Sequence, residues 1–358
     1  MQSNGIWRNG IWLVGFPSPA RGGGQGGGFR LDNGAMKLLG FQIPNYTFPG
    51  VTNDKLFEHV VMLASTAEKA GFDSVWVMDH FYQLPNIGPR TDPMLEGYAT
   101  LAGIAARTKK VRLGTLVTGV TYRNPAFLVK EATTLDIVSS GRAVLGIGAA
   151  WNEDEHRGYG YDFPPVGERI SRLEEALQIC RAMFREEAPT FEGHYYRIHG
   201  ALNFPKPIQP TGPPIMIGGG GEQRTLKLVA QYADMSNIFG DVTMVRHKLD
   251  VLERHCEAAG RDPNTIIKTR LGSLIIRESD AEAQRLYEQV LNRPGIDRDR
   301  VRTSFTVGSP DRVAEEAQKF LDAGLDGLIF NMPHMEDPEA IELAGTTLAS
   351  LRQPAPAR

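Results

Sequence analysis

Cysteine is nearly absent from this sequence of 358 residues, which contains only Cys180 and Cys256. The two lie far apart in stretches of helical periodicity, outside any Cys-x-x-Cys pattern and without histidine in a zinc-ligand spacing. This scarcity excludes a disulfide framework and leaves no signature of a structural metal site. We therefore expect reduced thiols, as in a cytoplasmic protein.

Long apolar runs and an excess of one charge are also missing. Residues 11–16 form an apolar segment far shorter than the roughly 18 residues of a membrane span, and Arg8 alone before it disfavours a signal peptide. The 39 basic and 42 acidic residues leave a net charge of −3, whereas nucleic-acid-binding surfaces concentrate Lys and Arg. The composition therefore favours a protein that binds neither membrane nor nucleic acid.

Residues 1–35 differ in composition from the rest of the chain. They contain ten of the 39 glycines and two of the four tryptophans, and their Arg-Gly segment at 21–30 lacks the repetition of RNA-binding tracts. Met36 stands directly before the first strand-like run. We expect residues 1–35 to be a disordered leader, or a region included by a start codon placed too early, and residues 36–358 to form a single domain.

From Met36 onward, short apolar runs alternate with longer runs of helical period, which is the pattern of parallel βαβ units. The strand candidates are 37–44, 74–80, 111–119, 143–150, 214–220, 234–240, 266–277 and 326–333. Eight such strands predict an α/β fold of the (β/α)8 TIM-barrel type. The rival fold, a doubly wound sheet, requires a glycine-rich turn after the first strand, and residues 42–46 contain no glycine.

Proline and glycine mark the expected helix boundaries and insertions. Four pairs place a capping side chain before a proline that suits the first helical turn: Asp92-Pro93, Asn124-Pro125, Ser309-Pro310 and Asp337-Pro338. The glycines expected to end helices are Gly71, Gly141, Gly260 and Gly324. Two long connections, 186–213 after strand four and 291–308 after strand seven, predict insertions that serve as lids or oligomer contacts.

Several polar and small residues follow predicted strands, where a barrel places its active site. Asp79 and His80 follow strand two, and His80 is the candidate to contact a cofactor or transfer a proton. The ends of strands three and four provide a site against which a flat ring could lie. The residues there are Leu116, Val117, Thr118, Ala149, Ala150 and Trp151. The acidic run ending in His156, residues 153–156, is expected to solvate the surface or cap a helix, because no second cluster converges on it to bind a metal.

The strongest local motif is a glycine run that connects strand five to a helix. It reads Gly218-Gly219-Gly220-Gly221-Glu222. Unpaired backbone N–H groups at such a helix N-terminus attract a phosphate, and the absence of a Gly-Lys-Ser/Thr ending excludes a nucleotide-hydrolysing P-loop. Together with the small residues at the barrel mouth, this motif predicts a phosphorylated aromatic cofactor that carries redox chemistry.

Taken together, these motifs resemble the bacterial luciferase-like superfamily of flavin and deazaflavin oxidoreductases. The resemblance covers nearly all of 36–351 and rests on segments 71–80, 113–115, 122–126, 135–136, 140–142, 145–148, 155–156, 159–160, 201–205 and 214–221, with Trp151. It implies a barrel that binds FMN or the deazaflavin coenzyme F420 at its C-terminal face. The 201–203 and four-glycine segments look most like the F420-dependent branch.

Residue by residue, the resemblance implies a cofactor site. His80 matches the residue that contacts the ring, and Leu116–Val117 match a bulge that often contains a non-prolyl cis peptide. The other implied contacts are Thr118, Ala149 and Ala150 with the ring and ribityl chain, and Gly219, Gly220 and Gly221 with the phosphate. Many members have glycine at the position of Ala150. The basic residues that sugar-phosphate dehydrogenases use on their substrate have no match here, which disfavours that substrate.

The resemblance implies an oxidoreductase that transfers a hydride between F420 and a small organic substrate, with His80 as the catalytic residue. The alternative is an FMN-dependent two-component monooxygenase that uses reduced flavin and oxygen. A third hypothesis is a protein that is not an enzyme and binds the coenzyme only as a carrier or sensor. By analogy with the superfamily we also expect a homodimer, and a flavin or F420 reductase as functional partner.

Overall fold

Eight parallel strands close into a barrel in the computed structural model, which describes residues 7–8, 11–12, 36–293 and 296–352. The barrel strands are β1 (Leu38–Ile43), β2 (Ser74–Val77), β3 (Arg112–Thr115), β4 (Ala143–Gly148), β5 (Ile215–Gly218), β6 (Met235–Ile238), β7 (Ile267–Ile276) and β8 (Gly327–Asn331). Each pairs with the next, and β8 closes the barrel on β1. The predicted TIM barrel is confirmed, and its strands lie within the predicted ranges.

Helices follow the strands and cover the barrel. They are α1 (Asn53–Lys69), α2 (Gly97–Arg107), α3 (Pro125–Val138), α4 (Glu153–Tyr159), α5 (Val166–Arg185), α6 (Thr225–Tyr232), α7 (Val242–Ala258), α8 (Asp280–Leu291), α9 (Arg298–Ser304), α10 (Pro310–Asp322) and α11 (Pro338–Ala349). In α1, for example, Leu56, Val60 and Leu63 are buried at helical spacing, so one face packs on the sheet. None of the helices in the described part of the chain has the length and apolar content that a bilayer crossing requires.

Trp76 of β2 fills the interior of the barrel. Its side chain is fully buried, and its indole Nε1 donates a hydrogen bond to Ser74 Oγ at 2.8 Å. A methyl group on Gly40 of β1 or Gly114 of β3 would come within 2.8 Å of the indole ring, so these positions accommodate only glycine. The barrel is therefore a packed core, and a ligand can bind only above this layer.

Most of the predicted helix boundaries are confirmed. Asn124 Oδ1 accepts a hydrogen bond from the Ala126 N–H at 2.9 Å at the start of α3, and Ser309 and Asp337 precede α10 and α11. The four expected terminating glycines all have positive φ, at 92° for Gly71, 85° for Gly141, 65° for Gly260 and 104° for Gly324. Left-handed backbone at Gly71, Gly260 and Gly324 directly follows the caps of α1, α7 and α10. At the end of α3 the residue in this place is Ser140, with a φ of 58°, and Gly141 follows it.

The helix expected to begin at Asp92-Pro93 was wrongly placed. Residues 93–96 are irregular and α2 begins only at Gly97. Glu96 is the cap, because its carboxylate accepts a hydrogen bond from the Ala99 N–H at 2.7 Å. A glutamate at the cap position is not a usual start signal, so the proline pair four residues earlier was the more conspicuous but incorrect marker.

The two predicted insertions have secondary structure of their own. The first, residues 186–213, follows α5 and carries a short antiparallel hairpin of Phe191–Glu192 with Arg197–Ile198. In the second, a strand at Phe305–Gly308 follows α8 and α9 and pairs in parallel with the end of β7. The first insertion runs from the end of α5 to β5, and the second runs from the end of α8 to α10.

Little of the expected leader can be described. Trp7–Arg8 and Ile11–Trp12 pair as two short antiparallel strands. The rest of 1–35 lies outside the described residues. The prediction that residues 1–35 are separate from a domain at 36–358 therefore stays a prediction.

Candidate active site

His80 follows β2 at the carboxyl end of the barrel. Its Nδ1 lies 2.8 Å from Glu155 Oε2, and its ring packs edge-on against Trp151 with 5.4 Å between ring centroids. Its Nε2 has no hydrogen-bond partner in the part of the chain that the structure describes. Trp151 is 60% exposed. Together, His80 and Trp151 form an aromatic corner with one unused imidazole nitrogen.

Glu155 is the most highly bonded carboxylate of the site. Its Oε1 accepts from the N–H groups of Phe81 at 2.6 Å and Tyr82 at 3.0 Å. Its Oε2 accepts from the Tyr122 hydroxyl at 2.8 Å and faces His80 at the same distance. Burial opposes ionisation, but the hydrogen bonds and His80 outweigh it, so the pKa of Glu155 lies below its usual range.

The expectation that residues 153–156 only solvate the surface or cap a helix was wrong for two of them. Glu155 and His156 are fully buried on the inner side of α4, while Asn152 caps that helix. His156 bonds Asn152 O at 2.6 Å and Thr121 Oγ1 at 2.7 Å, so it is a structural residue. The sequence signal that could have identified Glu155 was a helix beginning directly after the end of β4. In such a helix, residues three or four positions apart share one face, and here that face points to the protein interior. No group that could hold a metal ion occurs among the described residues.

Val117 forms a shelf across two strands. The Leu116–Val117 peptide is cis, as the resemblance implied. A methyl group added to Gly148 of β4 or Gly218 of β5 would lie 2.9 Å from the Val117 methyl carbons. Gly218, predicted to help bind phosphate, thus lacks a side chain because Val117 occupies that space. The shelf presents a small apolar surface between His80 and the glycine run.

Two predicted cofactor contacts have side chains that bond within the protein. Thr118 is buried, and its hydroxyl lies 2.7 Å from Thr115 Oγ1 and 2.9 Å from the Tyr98 hydroxyl. Asp79 is also buried and accepts two hydrogen bonds from Arg123, at 2.7 and 3.0 Å. These groups brace the loops behind the shelf, and their expected contact with a cofactor stays a prediction.

Ala149 and Ala150 connect β4 to Trp151. Ala149 O accepts a hydrogen bond from Arg169 Nε at 3.1 Å. Ala150 has a φ of 57°, a left-handed conformation that costs a residue with a Cβ roughly 1–2 kcal/mol. This conformation explains why glycine suits the position in the superfamily. It also turns the chain so that Trp151 reaches His80.

The glycine run forms a turn with unused donors. Gly219 has a φ of 118°, and its N–H donates to Asn237 O at 3.0 Å. The N–H groups of residues 220–223 have no hydrogen-bond acceptor in the described chain, and α6 begins two residues later. Several free amides at a helix N-terminus suit an anionic group such as a phosphate. The structure therefore supplies the donors expected of Gly220 and Gly221.

Basic side chains border this turn. Lys248 Nζ lies 2.5 Å from Glu222 Oε1, and His247 Nε2 lies 3.0 Å from the same oxygen. Glu222 was predicted to bind cofactor, but its carboxylate is already paired, and these partners lower its pKa. The turn is left with electropositive amides and a neutralised side chain, an arrangement that suits an anion.

A second charged group lies beside the site. Arg123 pairs with Asp79, with Glu96 at 2.6 Å and with Glu131 at 3.0 Å. One guanidinium cannot neutralise three carboxylates, and burial with the neighbouring carboxylates raises the pKa of Glu131 to about 7, despite Arg123. Arg123, Glu96 and Glu131 border an open cleft of about 450 Å³, whose other lining residues include Phe81, Tyr122, Phe127 and Tyr161.

Comparisons with known proteins agree with this geometry. The sequence model of the family described as luciferase-like monooxygenase matches residues 39–327. An F420-dependent glucose-6-phosphate dehydrogenase from Kineococcus radiotolerans is 30% identical, over 81% of this chain and 92% of its own. The F420-dependent tetrahydromethanopterin reductase of Methanopyrus kandleri superposes with a TM-score of 0.72 at 19% identity, covering 88% of this chain and 99% of that one. A monooxygenase from Streptomyces bottropensis superposes with 0.74 at 22% identity, covering 87% and 99%.

The left-handed backbone of Ala150 yields a stability prediction. Ala150→Gly should be neutral or stabilising by up to about 1 kcal/mol, because relief of the left-handed conformation outweighs the added flexibility of the unfolded chain. Urea unfolding measures the difference. The control is Ala149→Gly, whose backbone lies outside the left-handed region, and it should be destabilising by about 0.5–1 kcal/mol. Equal destabilisation by both changes would contradict the prediction.

Glu131 yields a prediction on pH. Its folded pKa of about 7 exceeds its unfolded value, so the folded state binds the proton more tightly and loses stability as pH rises from about 4.3 to 7. Glu131→Gln should remove a loss on the order of 1–2 kcal/mol between pH 5 and 8. Urea unfolding at both pH values tests this. The exposed Glu342→Gln should keep the wild-type slope, and a wild-type slope in Glu131→Gln would refute the assignment.

Proposed function

The chain belongs to the luciferase-like monooxygenase family, and on this premise we propose that it is an oxidoreductase that transfers a hydride between F420 and a small organic substrate. The observation that carries the proposal is the grouping of three features at the ends of neighbouring strands. The free amides of 220–223 follow β5, and Val117 follows β3 and fills the space above Gly148 and Gly218. His80 follows β2 and packs against Trp151. This grouping matches a phosphate, a flat ring and a reacting substrate.

The residues present fit a phosphorylated deazaflavin. Gly220 and Gly221 would hold the phosphate, and Val117 would support the ring with Ala149 and Ala150 beside it. When bound, a deazaflavin supplies a ring carbon that accepts or donates a hydride. The protein contributes orientation, and the packed layer around Trp76 keeps water from reaching the ring from below.

His80 is proposed as the residue that handles the proton of the reaction. Hydride transfer to or from a carbon bearing oxygen also moves a proton on that oxygen, and an imidazole works near neutral pH. Nε2 is available for this role, since Nδ1 faces Glu155. Trp151 would contact the body of the substrate and limit its approach. His80→Ala should lower turnover or cofactor affinity.

F420 is favoured over FMN because the relative of 30% identity is named for F420 dependence. The FMN-dependent monooxygenase stays the second candidate, since a monooxygenase is among the structural neighbours. The name of this relative includes glucose 6-phosphate as its substrate, but we do not extend that substrate to this protein. Basic groups near the mouth are already engaged, with Lys248 on Glu222 and Arg169 on Ala149 O.

Binding of the two cofactors distinguishes the candidates. Titration of the apoprotein with F420 should quench tryptophan fluorescence with a micromolar or lower Kd, and FMN should bind at least tenfold more weakly. Trp151 is the exposed reporter beside His80, whereas Trp76 is buried. The matched Trp151→Phe variant should therefore lose most of the quenching, which shows where the ligand binds.

Oxygen dependence completes this test. With F420 as the cofactor, turnover of a reducible or oxidisable substrate should proceed equally under nitrogen and air. Preferential FMN binding with oxygen-dependent turnover would replace the proposal by the monooxygenase. Tight binding of F420 without turnover across many substrates would support a carrier or sensor instead.

The proposal includes a cytoplasmic homodimer whose cofactor is recycled by a flavin or F420 reductase. Exposed apolar side chains on one face support the dimer: Phe127 is 59% exposed, Leu202 62% and Phe204 51%. Lys130 Nζ donates to Phe204 O at 2.7 Å, which joins α3 to the 201–208 segment in this face. A surface of this kind marks an interface more often than a solvated face.

Light scattering measures the assembly. We expect about twice the chain mass of 39.4 kDa, and Phe127→Glu should shift the protein towards the monomer because a charge would be buried at the interface. The exposed Glu342→Gln variant serves as control. A monomeric wild type at micromolar concentration would refute the dimer.

A further inference from the structure

A chain of three side chains connects the open cleft to the unused nitrogen of His80. Tyr122 contributes to the cleft wall and donates its hydroxyl to Glu155 Oε2, and the same oxygen faces His80 Nδ1, both at 2.8 Å. We propose that Glu155, held in place by Tyr122, is a positioning residue that keeps His80 as the Nδ1–H tautomer with Nε2 as a proton acceptor. The role in turnover rests on the proposed function, but the tautomer does not.

Glu155 can act towards His80 only as an acceptor. Its carboxylate is fully buried, and two backbone N–H groups occupy Oε1, those of Phe81 and Tyr82. An ionised carboxylate has no proton to donate. A short contact of 2.8 Å therefore requires a proton on Nδ1, and in the neutral form of the imidazole the lone pair then lies on Nε2.

Tyr122 fixes the orientation of this carboxylate. Its ring packs between Phe81, at 4.6 Å between centroids, and His156, at 4.8 Å. Burial and the neighbouring Glu155 raise the pKa of Tyr122 well above its ordinary value, so its hydroxyl stays protonated and donates. With four donors around it, the Glu155 carboxylate cannot rotate without breaking a buried hydrogen bond.

The tautomer assigns a direction to the proton. When a substrate alcohol is oxidised to a carbonyl compound, its hydroxyl proton would pass to Nε2 of His80, and a deazaflavin held at the site would supply the hydride acceptor. Glu155 stabilises the resulting imidazolium through Nδ1–H. In the reverse direction the same imidazolium returns its proton to the carbonyl oxygen. This use of a buried carboxylate to orient a histidine follows the logic of a catalytic triad.

The other charged or titratable side chains near Tyr122, Glu155 and His80 have partners of their own. Asp79 and Arg123 pair with each other directly after the strand ends. His156 bonds Asn152 and Thr121 with its two nitrogens and does not contact His80 by a hydrogen bond. Glu155 is thus the one carboxylate that bonds the His80 ring among the described residues. A change at Glu155 should act on His80 and leave His156 intact.

The test reads the tautomer directly in the apoprotein. Long-range proton–nitrogen NMR correlations of ¹⁵N-histidine-labelled protein at pH 8, assigned with His80→Gln, should show His80 protonated on Nδ1. Glu155→Gln should reduce the ratio of Nδ1–H to Nε2–H at least tenfold, because an amide can donate as well as accept. Glu155→Asp keeps the charge but shortens the reach, and should give the same loss.

Controls separate this proposal from the proposed function. Thr121→Val removes one of the two hydrogen-bond partners of His156 and should leave the His80 tautomer unchanged. A wild-type His80 protonated on Nε2, or a tautomer unaffected in both well-folded Glu155 variants, would overturn the proposal. If F420 fails to bind while the Nδ1–H tautomer is observed, only the assigned function is wrong. With F420 bound, Glu155→Gln should lower kcat at least tenfold and leave the Kd of F420 within threefold.

Discussion

The contact between Val117 and the glycine backbones of β4 and β5 fixes the spacing of three adjacent strand ends. Any side chain at Gly148 or Gly218 would collide with the valine methyl groups, so the strands approach closely enough for one residue to span both. His80 lies on one side of this contact and the 220–223 turn on the other. The relative position of ring support, phosphate donors and proton acceptor thus depends on apolar packing of a single residue.

The polar groups near the mouth of the barrel are of two kinds: those that bond each other and those that have no partner among the described residues. Those that bond each other, such as Asp79 with Arg123 and Thr118 with Thr115, stiffen the loops from behind. Those left with unused groups, the amides of 220–223 and Nε2 of His80, face no partner among the described residues. A site of this type works because its free donors and acceptors are few and are held by saturated neighbours.

Sequence reasoning predicted the barrel well, because alternating apolar runs and the terminating glycines at 71, 260 and 324 are local signals. It also placed His80 and the glycine turn after barrel strands, where the structure has them, since strand ends in a barrel meet at one face. It missed Glu155, whose role depends on a contact 75 residues away in the chain. It could not show that Val117 occupies the side-chain space at Gly218, because that contact joins distant parts of the sequence, and the predicted cofactor contact of Gly218 stays a prediction.

The indole of Trp76 has a consequence for how this protein can diversify. It closes the barrel beneath the shelf, so every molecule that enters or leaves must cross the loops above. Selection for a new substrate can then act on the loops that follow the strands without disturbing the strands. The packed interior of the barrel and the loops above its mouth can therefore change independently of each other during evolution.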